Sequence, residues 1–150
     1  MSDDKQVSVS RVIAATPETI FAVIADPTKH PVIDGSGTVK GENFGPDRLT
    51  AVGDSFGMKM KYAGALPYRI KSTVKEFEEN KLIAWAHFGG HRWRYELEEV
   101  DGGTKVTETF DWSTALPGVK QGIELAGYPK QHPATMEKTL ERLDEHVTAS

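Results

Sequence analysis

The chain has 150 residues, with 18 Lys and Arg against 22 Asp and Glu, and a formal net charge of -4. That length fits a single domain over residues 1–150, large enough to bury a core without disulfides or a structural metal. The absence of cysteine excludes disulfide scaffolds, zinc thiolates and thiol nucleophiles. A mildly acidic chain without basic clusters also lacks the electrostatic footprint of a nucleic-acid binder. The longest apolar run, Ile20 to Ala25, is too short to span a membrane, and the start, Met-Ser-Asp-Asp-Lys, has no signal-peptide pattern. A cytoplasmic location without integral membrane association is expected.

Residues Gln6 to Ala14 alternate as a strand. Thr16-Pro17-Glu18 then combines an N-cap, a first-turn proline and an acid that complements the helix dipole, so a helix starts there. Ile20, Phe21 and Ile24 share its apolar face, and Asp26-Pro27 ends it. A second short helix or turn is expected from Pro27 to about Ile33, followed by a loop at Asp34-Gly-Ser-Gly37.

From about Thr38 to Ser113 the dominant period is two, as in an antiparallel meander. Ser55 to Tyr62 places Phe56, Met58, Met60 and Tyr62 on one face, and Leu66 to Glu78 does the same with Tyr68, Ile70, Ser72 and Val74. Leu82 to Phe88 is apolar on both faces. The inward set there is either Ile83, Trp85 and His87 or Leu82, Ala84, Ala86 and Phe88, and the first is preferred. His91 to Val100 sets Trp93, Tyr95 and Leu97 against Arg92, Arg94, Glu96 and Glu98. Lys105 to Ser113 groups Val106, Glu108, Phe110 and Trp112.

Asp101-Gly102-Gly103 suits a tight turn. If the turn pairs Val100 with Lys105, then Tyr95 faces Phe110, Trp93 faces Trp112 and Leu97 faces Glu108. A helical segment interrupted by Pro129 and Pro133 follows, then a last helix from about Pro133 to Thr148. Its stripe of Met136, Leu140, Leu143 and Val147 must rest on something. An α+β architecture results, in which a curved antiparallel sheet of about six to seven strands wraps a long C-terminal helix, with two short helices after the first strand.

The segments Ser10 to Phe21, Ala25-Asp-Pro27, Trp93 to Leu97 and Gly103 to Trp112 resemble the SRPBCC or START-like superfamily, and within it the bacterial single-domain proteins labelled polyketide cyclase/dehydrase. The resemblance covers about residues 6 to 147. It implies the Bet v 1-like helix-grip fold and a deep cavity between the sheet and the terminal helix. Fold alone does not assign chemistry, since the superfamily includes lipid carriers, hydroxylase subunits and cyclases.

The residues facing such a cavity are Phe56, Met58, Met60, Tyr62, Tyr68, Ile70, Trp85, Trp93, Tyr95, Phe110 and Trp112, with Met136 and Leu140 from the helix. Aromatic and Met side chains with a few polar points suit a small hydrophobic ligand. Glu108 stands among them on parity. A carboxyl so placed needs a partner, for which Arg11 is a candidate, or stays protonated, or acts as a general acid or base. His87 is a second acid/base candidate. His87 and His91 flank Gly89-Gly90 but have no third ligand at metal spacing, so no metal and no cofactor are expected. His30 and His132 read as solvated loop residues.

The sequence lacks a Gly-x-Ser-x-Gly elbow, a P-loop and a dinucleotide fingerprint. The leading reading is therefore the binding of a hydrophobic small molecule, such as a lipid, an isoprenoid or a polyketide-like compound, by a monomer or homodimer. One alternative is a polyketide cyclase or dehydratase using Glu108 or His87. Another is a regulatory interaction protein with a residual cavity.

Overall fold

The structure, a computed structural model, describes residues 5–35, 39–44, 48–62, 66–87 and 89–149; the side chains of 39–44, 59–62 and 66–69 lie outside that description. Strand β1 (Gln6–Ile13) is followed by α1 (Pro17–Ile24), a 3₁₀ turn (Pro27–Lys29) and α2 (His30–Ile33). The strands β2 (Val39–Phe44), β3 (Ser55–Tyr62), β4 (Leu66–Glu78), β5 (Leu82–Ala86), β6 (Arg92–Val100) and β7 (Gly103–Asp111) come next. Helices α3 (Val119–Leu125) and α4 (Tyr128–Thr148) close the chain.

The local signals act as their chemistry requires. The Thr16 hydroxyl accepts from the Thr19 amide at 3.2 Å, capping α1. Asp26 accepts from the Thr28 amide at 2.9 Å and starts the 3₁₀ turn. Ile20, Phe21 and Ile24 are buried.

Among the described residues, the seven strands form one antiparallel sheet in the order β1-β7-β6-β5-β4-β3-β2. The first strand therefore pairs with the last, and the sheet's inner side is covered by α4. Two apolar clusters result. Leu140 and Leu143 of α4 join Ile13, Phe21, Trp85, Tyr95 and Val106, while Met136 joins Phe110, Trp112, Ala115 and Ile123. This is the helix-grip arrangement expected from the sequence.

Two expectations are corrected. The β6–β7 hairpin pairs Val100 with Gly103, not with Lys105, because the loop contains only Asp101 and Gly102. Every partner consequently moves by two residues: Tyr95 faces Glu108, Trp93 faces Phe110 and Leu97 faces Val106. Helix α4 begins at Tyr128, not Pro133, with Pro129 in its first turn and Pro133 inside it. A proline at that point removes the bond to the Pro129 carbonyl. Packing of Tyr128 and His132 on the sheet holds the extra turn.

The outer face of the same strands is charged. Arg94 donates to both carboxylate oxygens of Glu76, at 3.0 and 2.8 Å, and to Asp111 at 3.1 Å; Arg92 adds a 2.6 Å bond to Glu76. Depressions of about 490 and 390 Å³ open on this outer face, the larger beside Lys71, Lys75 and Arg92.

Candidate functional site

Glu108 lies on β7 with its side chain turned to the inner face, where it is 3% exposed. Its neighbour across the hairpin, Tyr95, is 5% exposed and donates its hydroxyl to Oε2 at 3.1 Å. Oε1 is buried and has no hydrogen-bond partner. Burial pushes the Glu108 carboxyl up from 4.5 to about 8, against the opposing effect of the Tyr95 hydroxyl, with the Asp34 charge adding to the rise. The group is therefore predominantly neutral at pH 7. Tyr95 is itself raised well above 10 by burial and by Glu108.

Arg11, the salt partner considered from the sequence, is not at this site. It reaches Asp144 of α4 at 2.7 Å, with 42% of its side chain exposed. Glu108 instead pairs in register with Val9 of β1. Among the described residues no arginine or lysine compensates it, and desolvation is the largest influence on its titration.

An aromatic wall continues from Glu108 in both directions. Toward β5, Trp85 lies 5.6 Å from Tyr95 and from Phe56, and the His30 ring stacks on it at 5.0 Å. His30 is thus a core residue of α2, not a solvated loop residue. Its Nε2 lies 2.9 Å from the Ile24 carbonyl, which can only accept, so Nε2 carries the proton; burial lowers its pKa. The preferred inward set of β5 agrees with these contacts, since Ile83 and Trp85 join the core.

In the other direction Trp93 packs on Phe110 at 4.7 Å, and Phe110 stacks with Trp112 at 5.7 Å. His132 meets Phe110 at 4.6 Å and stacks on Tyr128 at 5.1 Å with planes 6° apart. It too corrects the solvated-loop expectation. Burial, with the His91 charge, lowers its pKa to about 4. The sequence signal for this residue is its spacing four before Met136, but the flanking prolines mask it.

His91 and His87 complete this end. Their rings are 5.4 Å apart, and His91 sits 5.6 Å from Phe110. His87 Nδ1 is 2.7 Å from the Ser72 hydroxyl, and burial with the His91 charge lowers its pKa to about 4. His91 Nδ1, like Glu108 Oε1, is buried without a partner. Gly90, at φ +89°, shapes the turn between the two histidines; a Cβ there would stand 2.7 Å from the Thr114 carbonyl. Among the described residues, no three His, Asp or Glu side chains converge as metal ligands would.

Of the other residues expected at a cavity, Met58, Met136 and Leu140 are buried and Ile70 is half-buried. The Met60, Tyr62 and Tyr68 side chains lie outside the described residues. Among the described residues no helix is long and apolar enough to cross a membrane.

The family model for polyketide cyclase/dehydrase and lipid transport proteins matches residues 4–148. The chain belongs to that family. Two uncharacterized proteins of Mycobacterium tuberculosis, from different strains, are 44% and 43% identical to this cyclase/dehydrase-family chain over 144 residues. Each match covers 93% of the chain and 63% of the relative, so the chain spans less than two thirds of those relatives' length. A crystal structure of a Rhodobacter sphaeroides protein superposes with a TM-score of 0.72 at 17% identity, covering 99% of this chain and 95% of that one. The solution structure of an AHSA1-like protein from Aeromonas hydrophila gives 0.68 at 19% identity, covering 96% and 92%. At such identities the family fold is what they share.

Proposed function

We propose that this member of the polyketide cyclase/dehydrase and lipid transport family binds a hydrophobic small molecule between the inner face of its sheet and α4. The observation that carries the reading is the pair of partnerless buried polar atoms, Glu108 Oε1 and His91 Nδ1, set in an aromatic wall. Native interiors leave few such groups, because each costs roughly 1–3 kcal/mol when nothing satisfies it. A bound molecule that supplies the missing partners removes that cost. The family's description, which includes lipid transport, supports the same reading.

His132 packs over Phe110, so a ligand reaches this wall by displacing the N-terminal turns of α4 that carry His132. The proline at 133 weakens the connection of those turns to the rest of the helix.

Native mass spectrometry of the full chain purified without denaturation tests the reading. Retention of a low-polarity small molecule, or saturable uptake of the fluorophore phenylnaphthylamine, is the expected result. Empty protein that also fails to take up the fluorophore would overturn it.

One observation favours a second reading, proton-transfer chemistry. With its pKa at about 8, Glu108 exchanges a proton readily near neutrality. His87, lowered to about 4, is a poor donor at that pH. In a carrier Glu108→Gln retains ligand affinity, whereas in an enzyme it retains affinity and loses turnover.

A further inference from the structure

Strand β4 outruns its neighbour β5. Their pairing stops at Thr73 and Ala86, whereas β4 stays paired with β3 as far as Leu66. From Ser72 back to Leu66 the strand therefore has a partner in β3 and none in β5. The chain leaving Ala86 turns at Gly90 and returns as β6, and the Ser72 hydroxyl, 2.7 Å from His87 Nδ1, spans the interval.

The depression of about 490 Å³ lies at this step in the sheet. Lys71 and Lys75 of β4, His87 and Gly90 of the turn, and Arg92 and Thr114 line it. Among the described residues that lining has three cations and no acid. Arg92 is tied to Glu76 at 2.6 Å, whereas neither lysine has a carboxylate partner there. His87, with its pKa lowered to about 4, is neutral at pH 7 and adds no charge. Like charges gathered without a counter-charge attract an anion.

His87 also borders the inner wall. Its ring lies 5.4 Å from that of His91, which meets Phe110 at 5.6 Å, and Phe110 packs on Trp93 at 4.7 Å. One imidazole thus separates a cationic depression from an aromatic surface, the two halves of an amphiphile's environment.

Granted the binding reading above, we infer that the occupant is an amphiphile ending in a compact anion, a carboxylate or a phosphate monoester. The anion rests on Lys71 and Lys75 while the apolar chain passes His87 and lies along the wall. Lysines act as point charges and accept either head.

The test displaces phenylnaphthylamine from the full chain at neutral pH with decanol, decanoate and decyl phosphate, each below its micelle concentration. The readout is the ratio of the alcohol's displacing concentration to the anion's. The double variant Lys71→Met/Lys75→Met should lower that ratio by roughly tenfold, which two exposed ion pairs together support. Whether decanoate, decyl phosphate or both respond identifies the head. Salt at about 0.5 M should lower the ratio in the wild-type chain and change it little in the double variant. Lys81→Met/Lys105→Met removes the same charge from the smaller depression and should leave the ratio as it is. All four lysines are exposed, so neither double variant disturbs the core. An unchanged ratio in Lys71→Met/Lys75→Met, or an equal fall in Lys81→Met/Lys105→Met, overturns the inference while fluorophore uptake keeps the binding reading. If the wild-type chain takes up no fluorophore, both fall.

Discussion

Glu108 and Asp111 lie three residues apart on β7, each 3% exposed, and they are accommodated in opposite ways. Asp111 faces outward, where Arg94 donates to it and the Ser113 amide and hydroxyl bind its other oxygen. Glu108 faces inward and has one hydrogen bond, from a tyrosine. The outer face solves burial by pairing charges and the inner face by keeping the acid neutral. A sheet can do both within one strand because successive side chains point to opposite sides. Paired charges lock the outer face to itself, whereas a neutral acid with an open oxygen remains available to another molecule.

Removing the outer solution should have the largest effect. Arg94→Met leaves Asp111 and Glu76 without their shared cation, and Asp111 keeps only 4% of its side chain in solvent. We expect a loss of about 3 kcal/mol, at the low end of what breaking a buried pair costs, because Glu76 retains Arg92 and partial hydration. Urea unfolding measures it. A loss under about 1 kcal/mol, as for an exposed pair, would show that the outer network is ornamental and the contrast between the faces false.

The inner solution should appear as a pH dependence. The unfolded Glu108 ionises near 4.5 and the folded one near 8, so between those values the folded chain holds more protons. Its contribution to stability is complete below about pH 4.5 and is lost as pH rises through 8. Glu76 has the opposite sign: Arg94 lowers its pKa, so its contribution is present above 4.5 and lost in acid. His87 and His132, lowered to about 4, add to that acid limb, contributing above 6.5 and losing it as pH falls through 4. Unfolding at a series of pH values should therefore decline on both sides. Glu108→Gln should flatten the alkaline side alone. An alkaline decline identical in the variant would mean that Glu108 is ionised in the folded chain.

How far this was legible depends on which physical rule governs each feature. The face of Glu108 follows from strict alternation along β7, and the start of α1 from Thr16-Pro17, because both rules act within a few residues. The partner of Glu108 does not follow, since it is set by how many residues the hairpin loop takes. Counting Gly103 and Thr104 into the loop shifts every pair and puts Leu97 where Tyr95 belongs. His30 and His132 fail for a different reason. Both stand next to a proline, a local signal for irregular chain, and in both cases stacking against distant rings, Trp85 or Phe110, outweighs it. The partnerless atoms could not be read at all, because lacking a partner is a property of the folded neighbourhood.

The smallest effect sharpens the comparison from the side of Arg11, the partner for Glu108 considered from the sequence. Arg11 shares the strand β1 and stands two residues from Val9, the register partner of Glu108, yet its guanidinium crosses to Asp144 of α4. With 42% of its side chain in solvent, that pair should contribute no more than about 1 kcal/mol and should weaken in salt. Arg11→Met should therefore lower stability slightly and leave the alkaline limb of the pH profile unmoved. If instead the variant steepens that limb, Arg11 reaches Glu108 in solution and holds its charge. The inner face would then be a paired site like the outer one, and the contrast between the two faces would fall.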